Sequence, residues 1–214
     1  MAQLGLTSDE LLTTTRSVRR RLDLDRLVEP EIIEDCLRIA LQAPSGSNAQ
    51  GWHWIVVTDP TLRAGIAECY RRAALPYLDS RAAEPGSADG ESAAAHQRVT
   101  DSARYLTDNL HRVPVLVLGC LAGDVEQIPP AYQAGFWGSL FPAAWSFMLA
   151  LRARGLGSAW TTLHLQYAAE VAELLGIPAG YSQGVLLPVA YTKGTDFRPA
   201  RREPLETVLH RDRW

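Results

Sequence analysis

Residues 43–52 read Ala43-Pro44-Ser45-Gly46-Ser47-Asn48-Ala49-Gln50-Gly51-Trp52, and this run constrains the fold more than any other in the chain. It separates a segment of helical period, Ile32, Ile33, Cys36, Leu37, Ala40 and Leu41, from a strand-like run over His53–Thr58. Pro30 suits a first helical turn, and Pro44 disfavours helix in the residue before it, so the helix is bracketed on both sides. Small hydroxyl and amide side chains in a loop punctuated by Gly and Pro can donate and accept hydrogen bonds at close range. Upstream, Arg16-Ser17-Val18-Arg19 supplies guanidinium groups of the kind that hold phosphate.

The other elements follow from the same signals. Thr7 and Glu10 form a capping box that opens a short first helix. A helix runs from Pro60 to about Leu75, where Pro76 is expected to end it. From Leu78 to about Ala95 the chain is rich in Ala, Gly, Ser and acids and thin in core formers, and an amphipathic stretch covers about His96–His111. Val113–Gly119 reads as a buried strand, Gly138–Arg154 as a long apolar helix, Ser158–Leu163 as a short strand, Gln166–Leu175 as a helix and Val185–Tyr191 as the last strand. No repeat and no linker divides two cores, so residues 1–214 are expected to form a single α+β domain, a sheet wrapped by helices. The stretch 77–105 reads as a flexible lid or insertion. Residues 195–214 read as a C-terminal arm that is more stable lying on another surface, such as that of a partner subunit.

Composition removes several classes of function. A net charge of −3 and a sequence pI near 6.0 give no field to attract nucleic acid or an anionic membrane. Lys193 is the only lysine and lies far from any Gly-rich loop entering a helix, which excludes a P-loop. Cys36, Cys69 and Cys120 are isolated and read as buried thiols of a reducing compartment. The first residues, MAQLGLTSDELL, lack a basic region followed by an apolar stretch, so no signal peptide is expected and the location is expected to be cytoplasmic. Residues 127–151 carry no charge but are interrupted by Pro129, Pro130, Gly135, Gly138 and Pro142, which favours a buried helix over a membrane span. The five histidines show no metal-ligand spacing, so no metal site is expected. Gly155-Leu156-Gly157 lacks the third glycine of a dinucleotide fingerprint. Gly180-Tyr181-Ser182-Gln183-Gly184, with Asp196 and His210 after it, matches the order of a hydrolase triad. A nucleophile elbow, however, needs a strand before the serine and a helix after it, and here a helix ends at Gly176 and a strand begins near Val185.

The hydroxyls, amides and arginines of the two N-terminal blocks suit the ribityl chain, pyrimidine edge and phosphate of a flavin. Two further blocks are present, Gly155-Leu-Gly-Ser-x-Trp160 and Arg201-Arg202-x-Pro204-Leu205. With these four blocks in this order across residues 16–205, the chain resembles the nitroreductase family of FMN-dependent oxidoreductases. The resemblance implies a mainly antiparallel central sheet wrapped by helices in an intertwined homodimer, with FMN as cofactor and NAD(P)H as electron donor. It also implies ping-pong transfer of two electrons to a small nitroaromatic, quinone or related acceptor. Dehydrogenases, dehalogenases and flavin-fragmenting enzymes of the same family are the alternative, and a flavin-binding protein of low turnover is the alternative from another class.

Carried over by position, Arg16, Ser17 and Arg19 contact FMN, with Thr15 where a further basic residue is common. Ser45, Gly46, Ser47, Asn48 and Gln50 line the flavin from the other subunit, with Gly51 where proline is more usual. Trp160, Thr161 and Thr162 lie along the ring, a backbone N–H of Thr161 or Thr162 facing its N5. Arg201 and Arg202 complete the phosphate clamp. No side chain is needed as a nucleophile, because the flavin carries the hydride. Tyr132 and Phe136 are candidates for the acceptor side. Trp137, Phe141, Trp145 and Met148 follow helical spacing and read as core or dimer interface.

Overall fold

A computed structural model describes residues 3–83 and 90–214. Its helices are α1 (Ser8–Thr14), α2 (Pro30–Ala40), α3 (Pro60–Ala83), α4 (Gly90–Asn109), α5 (Pro130–Ala153) and α6 (Ala168–Leu175). Its strands are β1 (Trp52–Val57), β2 (Val115–Ala122), β3 (Leu156–Ser158) and β4 (Tyr181–Tyr191). They form one antiparallel sheet in the order β1-β2-β4-β3.

The sheet is covered on both faces, and alternation along the strands sorts the core. Leu116, Leu118 and Leu186 pack with Ile66, Tyr70, Leu106 and Leu110 from the α3–α4 side. Their neighbours Val115, Val117, Val185 and Leu187 pack with Ile33, Cys36, Phe147 and Leu151 from α2 and α5. Successive side chains of a strand point to opposite faces, so a strand buried on both sides reads as the continuous apolar run seen at 115–118. α5 is long and apolar enough to cross a membrane by length and composition. Here Leu140, Phe147 and Leu151 are fully buried in the core.

Three expectations need correction. α3 does not stop at Pro76 but continues to Ala83. Proline deprives the carbonyl four residues back of its partner, and that residue, Arg72, is exposed, as is Pro76, so water can serve instead. Leu78, 3% exposed, meanwhile rewards continuation by joining the core. The same reasoning lets α5 run through Pro142, four residues after exposed Gly138, and α5 begins at Pro130 rather than near Gly138. The third strand is Leu156–Ser158. Pairing then lapses and resumes as a single bridge between Thr161 and Leu186. The stretch read as a flexible lid or insertion comprises the end of α3 and most of α4, and residues 84–89 between them lie outside the described residues.

Candidate functional site

Arg19 borders two adjoining hollows. The first, about 340 Å³, takes Tyr70 and Tyr77 from α3, Thr100 from α4, and Trp160, Thr161 and Thr162 from the strap that follows β3. The second, about 470 Å³, takes Arg16–Arg21 from the chain after α1, Ser102 from α4, and Asp196–Arg198 from the tail.

The arginine segment is positioned by its apolar members. Val18 and Leu22 are buried in the core, while the amide of Val18 donates to Ser158 O at 2.8 Å and Leu22 bridges Thr192. Arg16 and Arg20 are exposed. Arg16 Nη1 donates to Arg198 O at 3.1 Å and Arg19 Nη1 to Ser102 Oγ at 3.4 Å. Among the described residues lining the second hollow, five are arginines and Asp196 is the one acid, already paired with Arg21 at 2.6 Å. Burial lowers the pKa of Arg19, yet a guanidinium keeps its proton, so a half-buried positive charge stands where the hollows meet. An oxyanion with several acceptor oxygens fits this donor set.

In the first hollow, burial raises the Tyr70 phenol, which therefore stays protonated at neutral pH. Among the described residues Thr161 Oγ1 is buried without a partner at hydrogen-bond geometry, with the Tyr70 side chain facing it. Such an orphaned hydroxyl suits a ligand with a polar ring edge. The backbone narrows the expectation for this strap. Thr161 N–H donates to Leu186 O at 3.1 Å, so the amide that can face a ligand is that of Thr162, whose residue is exposed at the start of the next turn.

The loop Ser45–Gln50 lines neither hollow within the single chain. Gly46 N–H donates to Ser139 Oγ on α5 at 2.9 Å, and Gln50 N–H donates to Ser45 Oγ at 3.0 Å. Ser47, Asn48 and Gln50 have φ of 52°, 53° and 51°, a left-handed backbone in three residues that are not glycine. Their side chains are exposed. Arg201 and Arg202 are exposed on the tail, outside both hollows, and the basic tail residue at the second hollow is Arg198.

Tyr132 and Phe136 lie within α5 rather than before it, and neither borders a hollow. Tyr132 is 71% exposed, and Phe136 packs on Gly123. Phe136 instead begins a run of touching rings, Phe136, Trp137, Phe141 and Trp160, with centroids 4.9, 5.3 and 5.1 Å apart, that reaches the first hollow. Residues that the sequence did not single out at the hollows are Tyr70, Tyr77, Thr100, Ser102, Phe197 and Arg198. Asp196, earlier read only as a possible triad acid, joins them as the partner of Arg21. The opposite charges of Arg21 and Asp196 were the one available signal.

Ser182 is no nucleophile elbow. It sits in β4, its hydroxyl donating to Gly123 O at 2.8 Å and accepting from Val125 N–H at 2.9 Å. The three cysteines are buried free thiols, and burial pushes Cys36 and Cys120 up to about 11. His164, just beyond the Thr strap, is wholly buried with neither ring nitrogen partnered among the described residues. Burial pushes its pKa down to about 4. The unfolded chain therefore binds the extra proton between about pH 6.5 and 4, and stability falls as pH falls through that window, by on the order of 3 kcal/mol in full. Urea titrations of wild type and His164→Phe across pH 7 to 4 are expected to show a shallower decline in the variant.

Residues 12–191 match the nitroreductase family. Over 212 residues the chain is 29% identical to the iodotyrosine deiodinase of Drosophila melanogaster, covering 94% of this chain and 68% of that protein. A solved structure of an iodotyrosine deiodinase bound to FMN and 3-iodo-L-tyrosine superposes with a TM-score of 0.70 at 24% identity, over 96% of this chain and 98% of that one. The FMN and NADPH-dependent nitroreductase NfnB of Sphigopyxis sp. strain HMH superposes with a TM-score of 0.66 at 20% identity, over 98% and 100%. The matched region runs from α1 to the end of β4 and contains both the arginine segment and the Thr strap, so this chain belongs to the nitroreductase family.

Proposed function

We propose that the chain is an FMN-dependent oxidoreductase that takes two electrons from NAD(P)H and delivers them to a nitroaromatic, quinone or related small acceptor. The observation that carries this reading is the pair of hollows meeting at Arg19, one rich in arginine and the other lined by hydroxyls and aromatic rings. Arg16, Ser17 and Arg19 would hold the phosphate and the polar edge of FMN, and Trp160, Thr161 and Thr162 would lie along its ring. Bound there, FMN supplies hydride acceptance and donation at its N5. The chain's own part is to hold: the Arg19 charge favours negative charge beside it, and the Thr162 amide offers a donor in a fixed strap. Tyr77, Val99 and Thr100 border the same hollow from the α3–α4 side, which supports assigning acceptor choice to them.

The reading includes a homodimer in which Ser45, Gly46, Ser47, Asn48 and Gln50 of the second copy complete each flavin site. It is supported by the exposed polar ends of that loop and by an arm with Leu205, Val208, Leu209 and Trp214 all exposed. Arg201 and Arg202 would then act from that arm. We read the location as cytoplasmic, with no nucleic acid or membrane as partner. The deiodinase likeness favours a second reading, reductive dehalogenation of a halogenated phenol, with the same cofactor site.

The purified protein is expected to be yellow, to sediment as a dimer and to release a flavin that chromatographs as FMN on acid treatment. NADH or NADPH should bleach it without oxygen, after which nitroaromatic, quinone and iodotyrosine acceptors are tested in turn for reoxidation. Release of FAD, failure to take up FMN, or a flavin that neither nucleotide reduces would defeat the proposal. Reoxidation by iodotyrosine alone would select the second reading.

A further inference from the structure

Behind the arginine-rich hollow, two guanidinium groups lie over one phenylalanine ring. Arg21 Cζ is 4.2 Å and Arg152 Cζ 4.9 Å from the centroid of Phe197. Arg21 is further tied to the tail by Nε to Lys193 O at 2.9 Å and by its ion pair with Asp196. The turn that folds the tail across Arg21 uses Gly194 at φ +76°, where a Cβ would stand 2.8 Å from Arg21 Nη2. Arg152, on the last turn of α5 and 5% exposed, donates through Nη2 to Thr14 Oγ1 and Thr195 O. Among the described residues its Nε and Nη1 are buried without partners.

The two cations repel each other, and burial together with Arg21 depresses the pKa of Arg152. The π face of Phe197 is an attractive surface common to both, and cations over a desolvated ring are held by its quadrupole. Phe197 and Arg198 are also wall residues of the hollow, and Arg198 O receives Arg16 Nη1. One ring thus connects the buried Arg152, the paired Arg21 and the wall that faces Arg16.

We propose that Phe197 is a positioning residue for a phosphate dianion, fixing Arg21 and the 196–198 wall so that the surplus positive charge of the hollow is presented to one oxyanion. This rests on the FMN reading above, and it specifies that the ring governs the phosphate end of the ligand and not the isoalloxazine end. Phe197→Leu keeps the apolar bulk and removes the π face.

The test measures the affinities of FMN and of riboflavin, which lacks the phosphate, in the full-length wild type, Phe197→Leu and Phe197→Tyr. Wild type is expected to prefer FMN. Phe197→Leu is expected to lose roughly three- to thirtyfold in FMN affinity with riboflavin affinity unchanged, and Phe197→Tyr to restore FMN binding. Equal losses for both ligands, or an unaltered preference in Phe197→Leu, would overturn this inference alone. A wild type that binds FMN no better than riboflavin would overturn the phosphate reading and the inference with it. If Phe197→Leu does not fold, Phe197→Met is read in the same way, and loss of fold in both would make the residue structural and overturn the proposal.

Discussion

Arg19→Ala is expected to lose one to two decades of FMN affinity, more than Arg16→Ala. Hydrogen bonds to charged groups contribute roughly 1.5–3 kcal/mol, which converts to about that factor. The ranking comes from position. Arg19 borders both hollows and is half-buried, so its charge acts through a medium of low dielectric, whereas Arg16 is exposed and screened by water. Fluorescence titration of apoprotein with FMN at two salt concentrations checks the ranking, since the contribution of Arg16 should fade with salt while that of Arg19 persists. Equal losses for Arg16 and Arg19 would show that both act from solvent.

The other large effect is expected at Gly184. β2 and β4 slip register here: Gly119 pairs with Val185 and Cys120 with Gln183, which leaves Gly184 as an extra residue in β4. A Cβ on Gly184 would stand 2.5 Å from Leu140 Cδ2 and 2.6 Å from the Trp137 ring. Leu140 is fully buried and Trp137 is stacked on Phe141, so neither can withdraw freely. Overpacking of this kind costs roughly 1–3 kcal/mol, against a total stability of about 5–15 kcal/mol for a typical domain. Gly184→Ala should therefore shift the urea midpoint down markedly. Because Trp137 leads through Phe141 to Trp160 at the first hollow, tryptophan emission should shift in the folded variant as well. A variant of wild-type stability would mean that the bulge relaxes without disturbing the rings.

The layers of this fold were legible wherever burial imposed a period. The apolar run at 115–118 and the helical spacing at 32–41 each point to one structure, because only that structure hides every apolar side chain. Pro76 misled because a proline's cost depends on whether the carbonyl four residues back can meet water, a fact of tertiary placement. The arginine segment and the Thr strap were legible through local motifs. Phe197, Arg198 and Ser102 were not, since they reach the hollow only after the tail turns at Gly194 and α4 folds back along α3. The sequence could not choose between the amides of Thr161 and Thr162 for a related reason: the partner of Thr161, Leu186, is 25 positions away in the chain and is revealed only by the sheet.

The left-handed loop has a consequence for how this protein trades durability against work. Holding residues other than glycine at positive φ costs roughly 1–2 kcal/mol each, somewhat less for asparagine, and glycine at the same site would forgo part of that gain through its freer unfolded chain. Ser47, Asn48 and Gln50 thus represent stability forgone in a segment that contributes no buried side chain to the core. Glycine replacements there are an accessible route to a hardier protein, and they would erase the very hydroxyl and amide groups that the loop displays. Thermostabilisation and ligand chemistry compete at these three positions, so a screen that rewards heat resistance alone would drift toward a sturdier chain with a blank loop.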